Sequence, residues 1–389
     1  MINQILRGYM KYRTFGRLDW KPSALGFGAM RLPYLEGDTS KIDEPLAIEM
    51  IRYAIDHGVN YVDTAYGYHG GNSERLVGKA LKDGYREKVK LATKMPTWIV
   101  NSQADMDRYL DEQLGKLQTD RIDFYLLHGL RKARWPTMVE NDVFGWAEKA
   151  KDEGKIRHLG FSFHDDLDLF KEIVDAYDGW TMCQIQYNYM DTEYQAGTRG
   201  LKYAASKGLA VVVMEPIQGG RLAVPPPPEI QAIWDEAPVK RTPAEWALQW
   251  VWNQPEVSVV LSGMSAMQHV VDNVESAGRS GPGTLTEEEL EFIERVKQKY
   301  GELGFIGCTG CRYCVPCPQG VAIPEIFALY NQYYSTKDDS VKAMYSEQLA
   351  AENRASRCTE CGQCEDLCPQ QLPIRNLMRG ASRTFESSR

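Results

Sequence analysis

The chain has 389 residues, 43% of them hydrophobic and 25% charged, with a formal net charge of −8. That length suits one large domain plus a smaller one, and the acidic balance argues against nucleic acid as the main partner, because phosphate binding needs a basic footprint. No run approaches the roughly 18 apolar residues of a membrane span, and the opening MINQILRGYMKYR lacks the apolar core and cleavage site of an export signal, so neither a membrane anchor nor secretion is expected.

Met10 offers a second start, which makes residues 1–9 an expected unstructured extension. Tyr12–Phe15 and Pro22–Ala24 flank Gly16-Arg17 and predict a small hairpin. Short β-rich runs then alternate with amphipathic stretches. Strands are predicted at Leu25–Ala29, Asn60–Asp63, Val89–Lys94, Ile122–His128, His158–Ser162, Met182–Gln186, Ala210–Met214 and Val257–Leu261. Helical periodicity fills the gaps at Glu44–His57, Ser73–Lys82, Ala104–Leu117, Val139–Glu153, Leu167–Ala176, Gln195–Lys207, Pro243–Asn253 and Ala266–Ala277. Gly58, Gly84, Gly154 and Gly208 follow helices as left-handed caps would.

Eight β-then-α units over about 250 residues match a (β/α)8 TIM barrel, with the hairpin closing its floor. An open doubly wound sheet uses the same alternation, but no early strand leads through GxGxxG into a helix, so a Rossmann dinucleotide site is not supported. Residues 218–242, with Gly219-Gly220 and the run Pro225–Pro228, read as a long loop after the seventh strand. A last helix is predicted over 284–300, capped by Thr284 or Thr286, and 301–307 (GELGFIG) reads as a linker. The expected domains are therefore a barrel over 1–300 and a cysteine-rich module over 301–389.

The carboxyl ends of barrel strands converge on one site. The second strand runs into Asp63-Thr64-Ala65-Tyr66-Gly67-Tyr68, the third ends in Lys94 and the fourth in His128. A lone His or Lys at a strand end is usually structural. An Asp, a Tyr, a Lys and a His on three successive strand ends point instead to acid–base chemistry.

With LGFGAMRLP, NYVDTAYGY, LATKMP, DFYLLHG, GFS and VVVMEPIQGGRL, residues 10–300 resemble the aldo-keto reductases. The resemblance implies a (β/α)8 barrel that reduces aldehydes and ketones, or oxidises alcohols, with NAD(P)H bound outside any Rossmann domain. It implies a catalytic set of Asp63, Tyr68 (five residues on), Lys94 and His128. Tyr68 is then the general acid. A free tyrosine, with a pKa of about 10, is a poor proton shuttle near neutrality, and the Lys94 ammonium, held by Asp63, favours its phenolate. His128 donates to the substrate oxygen. The resemblance also implies that Ser162 and Gln184 hold the nicotinamide carboxamide and that Met214 takes the place of the usual stacking aromatic. Gly219, Gly220 and Leu222 would line the pyrophosphate. Gly263, Ser265, Gln268 and Asn273 would receive the adenosine phosphate. Phe163 replaces the Asn usual after Ser162, and the basic residues that many relatives use for the 2′-phosphate are missing. Met30, Arg31, Tyr66, Trp98, Arg131, Arg134 and Trp135 lie in loops expected to face the site. Arg131 or Arg134 would pair with a carboxylate or phosphate on the substrate, although surface solvation explains them equally well.

Of nine cysteines, only Cys183 lies outside 308–368. Cys308, Cys311, Cys314 and Cys317 precede Pro318; Cys358, Cys361, Cys364 and Cys368 precede Pro369. The second set has the CxxCxxCxxxCP spacing of bacterial ferredoxins, and the first is one residue shorter before its last cysteine. Repeated two-residue gaps closed by Cys-Pro fit structural zinc badly and predict two [4Fe–4S] clusters. By the ferredoxin pattern Cys308, Cys311 and Cys314 pair with Cys368, and Cys358, Cys361 and Cys364 with Cys317. Thiols kept for metal imply a reducing compartment, the cytoplasm. The segment IPEIFALYNQYY reads as a helix packing the module.

The sequence thus predicts an NAD(P)H-dependent oxidoreductase acting on a small carbonyl or alcohol substrate. Its clusters either exchange electrons with a ferredoxin-type partner or stabilise the chain. The alternative is an electron-transfer or interaction protein with a non-catalytic barrel, against which the complete tetrad argues.

Overall fold

A computed structural model describes residues 10–386. The expected N-terminal extension, residues 1–9, lies outside the described residues. The chain divides into two compact units: residues 10–216 with 247–285, and 217–246 with 286–386.

In the first unit eight parallel strands close a barrel in sequence order: β1 (Leu25–Gly28), β2 (Tyr61–Asp63), β3 (Lys90–Met95), β4 (Ile122–Leu130), β5 (Ile156–Phe163), β6 (Trp180–Gln186), β7 (Ala210–Met214) and β8 (Val257–Gly263). The apolar stripes of the intervening helices are buried. Asp43, Ser102 and Asp166 cap helix starts by accepting from the backbone N–H three residues on, and Gly58, Gly84, Gly154 and Gly208 all adopt positive φ after helices. The helix expected over 139–153 is two, Trp135–Glu140 and Val143–Asp152. The break falls at Asn141-Asp142, where Asp142, at φ 48°, turns its carboxylate to Gly145 N at 3.2 Å and so ends one helix and caps the next.

Side chains alternate in and out along each strand. Tyr61, Ala92, Leu126, Met182, Val212 and Leu261 share one buried cluster inside the barrel, into which Phe15 inserts fully buried and against which Trp20 packs. The expected hairpin supplies that plug. Tyr12 bridges Ser23, Phe15 bridges Leu18, and Gly16 makes the turn at φ 52°. Two residues further along the same strands, and so on the same inward face, stand Asp63, Lys94, His128, Gln184, Met214 and Gly263. Alternation therefore stacks a polar layer directly above an apolar floor.

In the second unit the β7–β8 connection carries a 3-10 turn, Gln218–Gly220, and a helix, Pro228–Glu236. The stretch was expected as a long loop, and the proline run hides the start of this helix from the sequence pattern. The helix forms because Ile230 and Trp234 share a face, and Trp234 stacks on Trp246 at 5.1 Å. Thr286 caps helix Glu287–Leu303 in a reciprocal capping box with Glu289, and Gly304 ends it at φ 63°, so the predicted linker begins inside the helix. Helices Ile323–Thr336, Ser340–Gln348 and Ile374–Phe385 then build a core around Ile326, Phe327, Val341, Tyr345 and Met378. The first of these is the helix predicted from IPEIFALYNQYY. Among the described residues no helix is long and apolar enough to cross a membrane.

A Cβ at Gly16 would meet Ala210 N and Gly208 O at 2.5 Å in addition to its left-handed backbone. Gly16→Ala is expected to destabilise the barrel by about 3 kcal/mol, read as a lowered thermal midpoint; an unchanged midpoint would mean that the hairpin does not plug the floor.

Candidate active site

Three strand ends and one turn assemble the polar layer. Asp63 is the last residue of β2 and pairs in register with Ala92 on β3, two residues before Lys94; Lys94 pairs with Leu126 on β4, two before His128. Lys94 is fully buried and donates to both Asp63 carboxylate oxygens at 2.7 and 2.8 Å and to Thr64 O at 2.8 Å. Burial pushes the Asp63 carboxyl up and the Lys94 ammonium down, and their mutual contact opposes both shifts. Three acceptors arrayed around Nζ are the partners of an ammonium, so the pair is ionised.

Tyr68 lies off the strands, at the start of the turn Tyr68–Gly71. Its hydroxyl is 3.5 Å from Lys94 Nζ, and its ring stands edge-on to the His128 ring at 5.9 Å. The next residue fixes the turn: His69, at φ 54°, accepts from Leu32 N at 3.1 Å through Nε2, and its Nδ1 lies 2.6 Å from Thr39 O. His128 is anchored through its own carbonyl, which accepts from Thr97 Oγ1 at 2.6 Å. Burial, then Lys94, drive its pKa well below 6.5, which leaves a neutral imidazole with one N–H to donate.

Behind Lys94 lies a network the sequence reading missed. Glu74, fully buried, accepts from Thr93 Oγ1 at 2.7 Å and Gln113 Nε2 at 2.5 Å. Gln113 Nε2 also reaches Lys94 O at 3.0 Å, while Gln113 Oε1 accepts from Tyr125 at 2.7 Å. The signal available was a Glu and a Gln at helix positions otherwise apolar.

The expected cofactor residues divide. Ser162 and Gln184 pair across β5 and β6 beside the polar layer. Ser162 Oγ accepts from Gly129 N at 2.7 Å, and Gln184 Nε2 reaches Met214 Sδ at 3.6 Å. Gln184 Oε1 is buried without a hydrogen-bond partner. An oxygen so placed suits the NH2 of a carboxamide, so the residues fit a nicotinamide. Arg31 packs against Gly263, bringing a cation that the sequence reading had not assigned to that segment. Asn273 is buried and donates to Ser262 Oγ at 3.0 Å, whereas Ser265 and Gln268 are exposed, Gln268 bonding to Asp272 at 2.7 Å. Gly219, Gly220 and Leu222 belong to the second unit. There Gly219, at φ 67°, is so close to Thr309 that a Cβ would fall 2.1 Å from its carbonyl oxygen, and Leu222 is fully buried. Of the loop residues, Trp98 is exposed and edge-on to His128 at 5.3 Å. Tyr66 turns instead to Glu112 and Lys116, and Trp135 is buried with Nε1 on Glu172.

In the second unit Cys308, Cys311, Cys314 and Cys368 line one cavity, walled by Ile323, Phe327, Leu372 and Ile374. Burial and then Cys311, Cys308 and Cys368 push the Cys314 thiol up to about 12. Burial, then Cys358, Glu365 and Cys361, push Cys364 up to about 11. Among the described residues no three or more His, Cys, Asp or Glu groups converge as for a single metal ion. Four cysteines lining one cavity fit a [4Fe–4S] cluster, whose irons each take one cysteine thiolate.

The sequence matches the profile of the aldo/keto reductase family over residues 24–297 and that of the 4Fe-4S dicluster domain over 307–372. It is 28% identical to L-galactose dehydrogenase of Arabidopsis thaliana, covering 74% of this chain and 94% of that protein. The holo form of an aldo-keto reductase from Bacillus halodurans matches with a TM-score of 0.63 at 31% identity, over 74% of this chain and 96% of that one. An aldo-keto reductase from Klebsiella pneumoniae in complex with NADPH matches with a TM-score of 0.60 at 28% identity, over 74% and 95%.

His128 carries a pH signature. The unfolded chain protonates this histidine near pH 6.5 and the folded chain only far lower, so acid favours unfolding. Below pH 6.5 stability is expected to fall by up to about 1.4 kcal/mol per pH unit from this residue. Urea unfolding of His128→Gln between pH 6.5 and 5 should show a shallower slope by that amount; an unchanged slope would mean that His128 is protonated in the fold.

Proposed function

Because the chain belongs to the aldo/keto reductase family and is an NAD(P)-dependent oxidoreductase of that type, we propose that it interconverts a carbonyl and an alcohol by hydride transfer, with Tyr68 as the general acid or base. The observation that carries this reading is the chain of contacts Asp63–Lys94–Tyr68, with His128 beside the phenol. In reduction Tyr68 gives its proton to the substrate oxygen. The Lys94 ammonium, 3.5 Å away, stabilises the negative charge left on the phenol oxygen, and Asp63 keeps that ammonium charged. His128 donates its single N–H to the same substrate oxygen and orients it. In oxidation the proton runs back to Tyr68.

The bound nicotinamide supplies or accepts the hydride. Ser162 and Gln184 hold its carboxamide and Met214 packs against the ring. Gly219, Gly220 and Leu222 serve the pyrophosphate. Gly263, Ser265, Gln268 and Asn273 serve the adenosine end. The barrel domain spans 1–300 and the iron–sulfur domain 301–389.

That second domain carries two [4Fe–4S] clusters, one on Cys308, Cys311, Cys314 and Cys368, the other on Cys358, Cys361, Cys364 and Cys317. The exposure of Cys361 favours electron exchange with a ferredoxin-type carrier over a purely stabilising role. Thiols committed to clusters favour the reducing cytoplasm.

Tyr68→Phe should lower kcat by about a thousandfold with little change in cofactor affinity, measured on whichever carbonyl or alcohol is turned over; a variant retaining wild-type turnover would sink the mechanism. In anaerobically prepared protein, Cys368→Ala should reduce iron from about eight to about four atoms per chain and halve the visible absorbance. Full iron retention would remove Cys368 from the ligand set.

A further inference from the structure

Just past His128 the chain leaves β4 in a tight turn. Arg134 N and Trp135 N both donate to Arg131 O, at 2.9 and 3.0 Å. The turn is pinned from outside: Lys132 N donates to Asp165 at 2.8 Å, Lys132 pairs with Asp166, and Trp135 Nε1 donates to Glu172 at 2.8 Å. The acids of the neighbouring loop are thus turned toward the backbone and ammonium of Lys132.

The Arg134 guanidinium folds back inward. Its Nη1 lies 3.4 Å from the carbonyl of Gly129, the residue next to His128. Its Cζ lies 5.5 Å from the Trp98 ring, which itself meets His128 edge-on at 5.3 Å. Arg131 is half-buried with its Nε out of solvent. After burial, the charged side chains that disfavour a proton on His128 include Lys94, Arg134 and Arg131. The Lys94 charge is paired with Asp63 at 2.7 Å on the strand side, whereas the Arg134 guanidinium stands on the loop side, between Gly129 O and the Trp98 ring. Two arginines on one turn beside the polar layer stand out on a chain of net charge −8. A guanidinium offers two parallel donors that match carboxylate or phosphate oxygens, and stacking on an aromatic ring orders it before any ligand arrives.

We propose that Arg131 and Arg134 form an anion subsite beside His128, so that the preferred substrates are carbonyl compounds or alcohols carrying a carboxylate or phosphate a few bonds from the reacting carbon. The proposal rests on His128 marking the reacting oxygen, as argued above. Trp98 forms the wall between the two positions, with its exposed face available to the carbon chain of the substrate.

The test uses the full chain with both clusters and matched pairs: 4-oxobutanoate against butanal for the carboxylate, and glyceraldehyde 3-phosphate against glyceraldehyde for the phosphate. The anionic member of at least one pair should show a kcat/KM higher by about tenfold or more. Arg131→Gln/Arg134→Gln should shrink that ratio by about tenfold, chiefly through KM, whereas Lys149→Gln, which removes an exposed charge from helix Val143–Asp152, should leave the ratio as it is. A wild-type ratio near unity, or one that survives the double substitution, overturns the subsite. If no compound turns over, calorimetric titration of 4-hydroxybutanoate and glycerol 3-phosphate into the protein loaded with NADP+ decides. Binding that the double variant loses supports the subsite and counts against the Tyr68 reading, while no anion binding by the wild type overturns the subsite itself.

Discussion

The Lys94 ammonium has no contact with water, and much of the barrel is arranged around that fact. A buried cation is tolerated only where acceptors replace its lost hydration. Asp63 supplies both carboxylate oxygens from the adjacent strand and Thr64 supplies a carbonyl. Removing either member would strand the other's charge in an apolar interior, which costs more than the pair itself contributes. The same ammonium sets the electrostatics of its neighbours, at the hydroxyl of Tyr68 and at the imidazole of His128.

This placement follows from the strand period and the register. Because Ala92 belongs to the apolar floor, the residue two places on must face the interior one layer higher, and the same holds for Tyr61 with Asp63 and Leu126 with His128. The floor in turn depends on the N-terminal hairpin, whose Phe15 fills the space between strands. Glu74, Gln113 and Thr93 brace β3 from outside the barrel, linking the backbone of Lys94 to a helix and to Tyr125 on β4. Apolar packing below and hydrogen bonding behind leave the lysine little freedom, and that rigidity is what a proton-transfer geometry needs.

The strand-borne part of the site was legible in the sequence because each of its residues ends a β-rich run and alternation dictates its direction. Tyr68 was not legible in that way. It sits on a 3-10 turn, and periodicity alone does not separate it from Tyr66, whose hydroxyl instead meets Glu112. Only the resemblance distinguished the two. His69, Thr97 and Glu74 escaped notice because their partners lie far away in sequence and no local pattern marks them. The broken helix at Asn141-Asp142 was missed for a related reason: a single side chain turning back on the backbone outweighs an apolar period that continues on both sides of it. In the cysteine module the spacing alone indicated cubane ligation; the cavity lined by Cys308, Cys311, Cys314 and Cys368 is a tertiary feature that spacing does not draw.

That grouping ties the first three cysteines of the module to one of its last residues. Helix Ile374–Phe385, at the end of the described chain, buries Met378 and Ala381 in the same core that packs Cys308 and Cys314. Cys308, Cys311 and Cys314 are therefore made well before Cys368, and the thiols of this cavity come together only once the intervening helices have packed. The cavity is thus a product of tertiary packing rather than of local spacing, and a chain that loses helix Ile374–Phe385 keeps its amino-terminal thiols but not the wall behind them.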